Sequence, residues 1–207
     1  MSIYELKPRF QALLRPAVRQ LYALGVTANQ VTLAACAVSL LIGLGLYAGL
    51  SQGRCTTAAM ALVPLWMLLR MAFNAVDGML AREFGQQSKL GAFLNELTDV
   101  VSDAALYLPF ALVAPLQPLW VGIVIVLAGL SEFAGALGPT VGASRRYDGP
   151  MGKSDRAFVF GVLGLWAALA PVPGWMAVAM PLLAVAVGWT VARRVSRALQ
   201  EAKGATS

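Results

Sequence analysis

Five carboxylate and carboxamide side chains recur at helical spacing within the stretch RMAFNAVDGMLAREFGQQSKLGAFLNELTDVVSD, residues 70 to 103. The five residues are Asn74, Asp77, Asn95, Asp99 and Asp103. The first two are three residues apart, and the other three follow at intervals of four. Residues at these intervals lie on one face of an α-helix. The spacing therefore predicts two helices that present oxygen ligands to each other across a short basic loop.

The composition places these polar groups inside a membrane, because 58% of the 207 residues are hydrophobic and only 13% are charged. On a regular helix Asp99 lies about 12 Å beyond Gly91, and Asp103 about 18 Å beyond it. Each ionisable group at such depth costs at least roughly 2.5 to 3.5 kcal/mol, so it is retained for a function or paired. Converging oxygen ligands suit Mg²⁺ or Mn²⁺, and such an ion is a natural partner for a diphosphate. A transporter or a structural polar interface remains the alternative.

Small and basic residues next to the ligands fit a site for a phosphorylated ligand. Gly78 and Gly91 have no Cβ, which allows a bulky group or a second helix to approach closely. Arg82 follows Gly78 by one turn, where its planar guanidinium can contact phosphate oxygens.

The stretch resembles the signature of the CDP-alcohol phosphotransferase family, DxxDGxxAR, then eight residues, then GxxxDxxxD. Here the two halves read NAVDGMLAR and GAFLNELTD, with eight residues between them and no gap in register. Two of the four family aspartates are replaced, by Asn74 and Asn95, and Asp103 is an additional acid one turn beyond the last.

The resemblance implies a role for each matching residue. Asn74, Asp77, Asn95 and Asp99 would hold the divalent metal on the CDP diphosphate, and Asp99 would also take the proton from the attacking hydroxyl. Gly78, Arg82 and Ser88 would contact the CDP-linked donor. The family has a similar TPNxxT segment where this chain has TANQVT, which adds Asn29 and Thr32 to the donor site, although Asn or Thr near a helix start is also a common cap. The resemblance also implies a homodimer.

The two asparagines remove negative charge that would help to offset a dication, although a carboxamide oxygen can still bind a hard ion. We consider three consequences, in order of preference. First, Asp103 or Glu96 restores the missing charge, Asp103 either as a water-mediated ligand or as a support for Asp99. Second, the site holds fewer metals. Third, the protein is a degenerate member of the family. Alternatively, Asp103 pairs with a buried arginine such as Arg70 and serves packing only.

The sequence predicts an all-α polytopic membrane protein that forms a single domain, residues 1–207. Residues 2–24 form an amphipathic, basic helix that would lie at the membrane interface, with a bend expected at Pro16. A six-helix core occupies residues 29–192, with apolar runs to Leu50 and over residues 57–79, 90–113, 119–137, 157–170 and 175–192. Residues 193–207, which include Arg193, Arg194 and Arg197, are predicted to form a basic anchor and solvated tail.

Charge predicts the orientation of these six spans. All but two of the 16 Lys and Arg residues, Arg54 and Arg70, fall at the termini or in loops on one side. By the positive-inside rule both termini and the site face the cytosol, in the cytoplasmic (inner) membrane of a bacterium. The formal charge of +6 is explained by topology and anionic lipid, and we expect no nucleic-acid partner.

The connection between the fourth and fifth spans reads SRRYDGPMGKSDR and is strongly basic. Its cations could bind the phosphate of an acceptor such as glycerol phosphate or inositol phosphate, or could be positive-inside anchors; they are Arg145, Arg146, Lys153 and Arg156. Glu132 in the preceding helix is expected to pair with an arginine.

Together with the polar site, the family resemblance implies a metal-dependent enzyme that transfers a phosphatidyl group from CDP-diacylglycerol to a small polar alcohol and releases CMP. The absence of histidine excludes Ser-His-Asp hydrolases and HExxH proteases, and two cysteines do not make a disulfide scaffold. Two other classes stay open. One is a non-catalytic family member that binds lipid or nucleotide, and the other is a transporter, against which the apolar continuation ALYLPFALV beyond Asp103 argues.

Overall fold

The computed structural model describes residues 3–204, with side chains from residue 10 onward, and over this range it is helical without β-strands. The seven α-helices are α1 (Ile3–Ala23), α2 (Ala28–Ser51), α3 (Leu62–Glu83), α4 (Lys89–Tyr107), α5 (Pro118–Ala136), α6 (Lys153–Leu169) and α7 (Ala179–Gly204). Four short 3₁₀ helices, Thr57–Ala61, Leu108–Leu112, Gly138–Val141 and Gly174–Val178, lie between them. The all-α prediction is confirmed.

Four helical segments are long and apolar enough to cross a membrane. They are α2, α3 with the turn before it, α5, and α7 with the turn before it. Helix α4 carries Lys89, Glu96, Asp99 and Asp103, and α6 has only 17 residues. The assignment of these two helices as membrane spans, and with it the six-span arrangement, therefore stays a prediction.

Two of the predicted runs end at other residues in the structure. The run 90–113 is α-helical only to Tyr107, because Pro109 has no amide proton to donate and the chain tightens into the Leu108–Leu112 turn. At the other end, α7 continues to Gly204, so most of the predicted tail is helical. Helix α1 runs through Pro16 from Ile3 to Ala23.

The helices pack around one main apolar core. Helix α2 lies against α3 and α4, α5 against α7, and α6 against α3, while α4 also contacts α5. Fully buried residues such as Met60, Leu106, Phe110 and Phe160 fill the centre. A second, smaller cluster joins Val18 of α1 to the ends of α2 and α3, so α1 is fixed beside the polar end of α3.

The starts of α2 and α4 are capped by side chains that the sequence supplies locally. Thr27 accepts from the Gln30 amide at 3.2 Å, and the Gln30 side chain accepts from the Thr27 amide at 2.9 Å, which forms a capping box. Ser88 accepts from the Gly91 amide at 2.9 Å. Both caps lie at the end of the molecule that carries the site.

Helices α2 and α4 cross closely at Gly43, where a Cβ would overlap the carbonyl oxygen of Ala105. Gly45, two residues along the same helix, faces open space. The α2 and α4 backbones therefore touch only because position 43 has no side chain.

We predict that Gly43→Ala lowers the stability of the protein by about 1 to 3 kcal/mol, because the new methyl group must push α4 away from α2. The matched variant Gly45→Ala should leave the thermal midpoint of the purified protein in detergent nearly unchanged. Equal midpoints for the two variants would contradict the close crossing.

Candidate active site

Asp77 is the predicted ligand from α3, and the structure buries it, with 6% of its surface exposed. The Thr32 hydroxyl of α2 donates to Asp77 Oδ2 at 2.7 Å. Thr32 was expected at the donor site, and the fold brings it to the carboxylate instead of leaving it as a helix cap. Arg70, on the same helix as Asp77, and Lys153 both pair with Asp99, so α3, α4 and the start of α6 meet at Asp99.

Asp99 is held by cations on both carboxylate oxygens. Arg70 Nη2 donates to Asp99 Oδ1 at 2.9 Å and to the Asp99 backbone oxygen at 3.2 Å. Lys153, the first residue of α6, forms an ion pair with Oδ2. The carboxylate of Asp99 is therefore fixed in place and neutralised from two sides.

Asp103 pairs with arginines. Arg70 Nη1 donates to Asp103 Oδ1 at 2.5 Å, and Arg156 Nη2 lies 3.7 Å from Oδ2. The expected pairing of Asp103 with Arg70 is therefore present. Because Arg70 also holds Asp99, Asp103 helps to pack the helices and, through Arg70, to position Asp99. Arg70 precedes Asn74 by one helical turn, and this spacing is the signal that places it on the site face of α3.

The two asparagines differ in burial. Asn74 is half-buried and Asn95 is exposed. Glu96, the other acid considered as a compensating ligand, forms an ion pair with Arg145. The ligand roles of all five residues stay predictions: Asn74, Asp77, Asn95, Asp99 and Asp103.

The predicted donor residues lie where α2, α3 and α4 begin or end. A Cβ at Gly91 would lie 2.8 Å from Asn29 Oδ1 and 3.0 Å from Ser88 Oγ, so these three positions meet. A Cβ at Gly78 would lie 2.8 Å from Arg82 Nη2, which places the exposed guanidinium directly over that glycine.

Gln86, which the sequence pattern did not single out, fastens the loop between α3 and α4 to the start of α2. Its side-chain oxygen accepts from the Ala28 amide at 2.7 Å, and its nitrogen donates to the Val26 oxygen at 3.4 Å. An orphan amide at a helix start needs such a partner. The periodicity of the helices carries no signal for it.

The four cations of the basic connection have different environments. Arg145 pairs with Glu96, lies 3.9 Å from Glu132, and sits over the Tyr147 ring with 5.0 Å to its centroid. Arg146 turns away to Asp148 and Glu201. The hydrogen bond from Arg146 lowers the pKa of the Asp148 carboxyl below its usual range.

Arg156 is completely buried. Its guanidinium donates to Glu132 at 2.9 Å, to Ser131 Oγ at 3.0 Å and to the Met151 oxygen at 3.1 Å. The expected pairing of Glu132 with an arginine is therefore present.

Arg194 corrects the prediction of a solvated basic tail, because only 2% of it is exposed. It donates to the Ser131 oxygen at 2.5 Å and to the Asp148 oxygen at 3.3 Å, and it lies 3.4 Å from Glu132. Its neighbour Arg193 is exposed. Position along the sequence suggested an anchor, but the helical phase of α7 turns Arg194 into the core.

The family assignment rests on most of the chain. A model of the CDP-alcohol phosphatidyltransferase family matches residues 25–192, which includes the whole signature and the helices that carry it. The chain belongs to this family. The predicted family and enzyme class are thereby confirmed.

Two curated relatives are similar in sequence. Inner membrane protein YnbA of Escherichia coli (strain K12) is 48% identical over 176 residues, which are 85% of this chain and 84% of YnbA. Archaetidylinositol phosphate synthase of Pyrococcus horikoshii is 30% identical over 108 residues, 52% of this chain and 53% of that protein. The apolar helices and the first relative agree with an integral inner-membrane protein.

Solved structures of the same fold include phosphatidylinositol phosphate synthase (PgsA1) of Mycobacterium tuberculosis. Its complex with manganese and citrate has a TM-score of 0.71, at 24% identity, over 89% of this chain and 88% of that chain. The CDP-DAG complex of the same enzyme has a TM-score of 0.68, at 24% identity, over 88% and 92%. The mycobacterial enzyme thus holds manganese, one of the two ions predicted from the present sequence.

We predict that Arg194→Gln destabilises the protein by about 3 to 5 kcal/mol, because it leaves Glu132 without one of its buried cations. Arg193→Gln removes the same charge from an exposed position of the same helix and should change stability by less than about 0.5 kcal/mol. Thermal midpoints of the two variants in detergent compare them directly. Equal midpoints would contradict the buried role of Arg194.

Proposed function

We propose that this protein transfers a phosphatidyl group from CDP-diacylglycerol to the hydroxyl of a small polar alcohol and releases CMP. The main support is that Asp77 and Asp99, the two aspartates kept from the family signature, lie on α3 and α4, which Arg70 of α3 joins through its ion pair with Asp99. The complex of the mycobacterial enzyme with CDP-DAG and the archaeal synthase among the relatives support a donor of this class.

The donor set of the site suits a hard divalent ion such as Mg²⁺ or Mn²⁺. Among the residues that the structure describes, no three His, Cys, Asp or Glu side chains group together as metal ligands. The ligands would therefore be Asp77 and Asp99 with the carboxamide oxygens of Asn74 and Asn95. When bound, the ion would neutralise the diphosphate of the donor and stabilise the leaving phosphate.

Asp99 is the proposed base. Arg70 holds Oδ1 and the backbone oxygen of Asp99, so Oδ2 would accept the proton once the Lys153 ammonium that pairs with it moves to the acceptor phosphate. An acceptor hydroxyl positioned there would give its proton to Oδ2 as it attacks the phosphorus. Gly78, Arg82, Ser88, Asn29 and Thr32 would position the donor.

We assign the acceptor phosphate to two of the four basic residues. Arg145 and Lys153 are partly exposed and reach toward α4, whereas Arg156 is enclosed in the core and Arg146 turns to Asp148. We therefore restrict the acceptor-phosphate site to Arg145 and Lys153. A phosphorylated alcohol, such as glycerol phosphate or inositol phosphate, is the acceptor class that this pair favours.

The proposal includes the placement of the protein in its membrane. Helices α2 to α7 would span the bilayer, with both termini and the site on the cytosolic side, where nucleotide-activated lipid head groups are accessible. Helix α1 would lie at the interface, since Leu13 is exposed on the surface that does not pack on α3. A homodimer is retained from the family resemblance.

We predict that Asp99→Asn abolishes CMP release from CDP-diacylglycerol, because it keeps the shape of the side chain and removes the proton acceptor. The measurement is CMP formation by the purified protein with Mg²⁺ or Mn²⁺ and a mixture of alcohols. Asp155→Asn, a change to an exposed acid at the start of α6, serves as the control and should keep activity.

Full activity of Asp99→Asn would contradict its role as base. An absence of CMP release from the wild-type protein, with every acceptor and both metals, would instead favour the non-catalytic, lipid-binding alternative.

We predict that Arg145→Gln raises the KM for a phosphorylated acceptor by about tenfold or more, with little change in the KM for CDP-diacylglycerol, because it removes one charged contact. Arg146→Gln, its neighbour on the far side of the loop, is the matched control. Steady-state kinetics with each substrate varied in turn separates the two constants. An equal rise in both constants for Arg145→Gln would assign this arginine to the scaffold.

A further inference from the structure

The charge of the site is lower than the family signature would give it. Asn74 and Asn95 are neutral, so Asp77 and Asp99 are the only acids left at the four signature positions. Two nearby acids could restore the missing charge, Asp103 and Glu96. Asp103 is already paired with Arg70 and Arg156, and Glu96 with Arg145. Neither acid is free to balance a second dication.

Asp99 is balanced by positive charge from the chain itself. Arg70, whose side chain is 7% exposed, holds one carboxylate oxygen, and Lys153 holds the other. By contrast, Asp77 accepts from the neutral hydroxyl of Thr32, and no cation among the described residues forms an ion pair with it. The site is therefore asymmetric, with a carboxylate that can still attract an ion on α3 and a carboxylate that is already neutralised on α4.

A second dication at Asp99 would meet the full charge of Lys153 within ion-pair distance, and like charges this close in a partly buried site repel strongly. The Lys153 ammonium is a compact point charge with three donors, so it can occupy the oxygen-lined space that a metal ion would otherwise take. The Lys153 side chain is 31% exposed, so it stays accessible from outside the protein.

We propose that this protein binds one divalent ion per chain, with Asp77 as its principal ligand, and that the Lys153 ammonium supplies at Asp99 the positive charge that a second ion would supply. The inference rests on the proposed function, since it concerns the same site. The two changes then balance each other. The site lacks the negative charge of carboxylates at positions 74 and 95, and it needs less positive charge from metal because a lysine already pairs with Asp99. An ammonium at Asp99 also faces incoming phosphate oxygens, which is compatible with the acceptor role given to Lys153.

The test is the number of Mn²⁺ ions bound by the purified full-length protein in detergent, measured by electron paramagnetic resonance of free Mn²⁺ during titration. The wild type should bind one ion per chain. The double variant Lys153→Met with Asn95→Asp should bind a second ion at least about 10-fold more tightly than Asn95→Asp alone, because one positive charge has been removed beside Asp99.

Lys89→Met with Asn95→Asp is the matched control, because Lys89 is an exposed lysine that also begins a helix, α4. It should bind the second ion no better than Asn95→Asp alone. Thermal midpoints establish that each variant is folded, and Lys153→Gln replaces Lys153→Met if the latter is not.

Two tightly bound ions in the wild type would overturn the inference, and so would equal second-ion affinity with and without Lys153. CMP release measured on the same samples separates this result from the proposed function. Two ions together with CMP release reject the inference alone, whereas one ion without CMP release rejects the proposed function alone.

Discussion

The guanidinium of Arg70 is the contact on which the geometry of the site depends. It bridges Asp99 and Asp103, which are one turn apart on α4, and it reaches them from α3. Burying three charges is costly unless each is paired and hydrogen-bonded, and this arrangement satisfies that condition with one planar side chain. This pairing fixes the position of Asp99 relative to α3, the helix that carries Asp77.

A chain of buried ion pairs extends from Asp103 across the molecule. Arg156 of α6 links Asp103 to Glu132 of α5, and Arg194 of α7 contacts the other oxygen of Glu132. Each of these charges would be unpaired in a partly assembled bundle, at a large desolvation cost. The polar network therefore ties α5, α6 and α7 to the two helices that carry the signature, and a change far from the site can alter its geometry.

The sequence predicts the helical ligand faces and the register of the signature because both depend on local spacing. The helical faces of Asp77 and Asp99 follow directly from intervals of three and four residues. The pairing of charges does not, because it depends on how helices distant in sequence rotate toward one another. Arg194 and Arg156 looked like surface cations by position, yet helical phase turns both inward. Gln86 was missed for a similar reason, since a loop side chain that caps another helix leaves no periodic signal.

Formation of a phospholipid from CDP-diacylglycerol at this site can be measured by mass spectrometry of the lipids that the purified protein produces. The protein would be incubated with CDP-diacylglycerol, Mg²⁺ or Mn²⁺, and a panel of alcohols that includes glycerol phosphate and inositol phosphate. We expect a new lipid whose mass equals the phosphatidyl group joined to one of these alcohols, with CMP as the other product. Unchanged CDP-diacylglycerol with every alcohol, in a sample whose thermal midpoint establishes that it is folded, would contradict it.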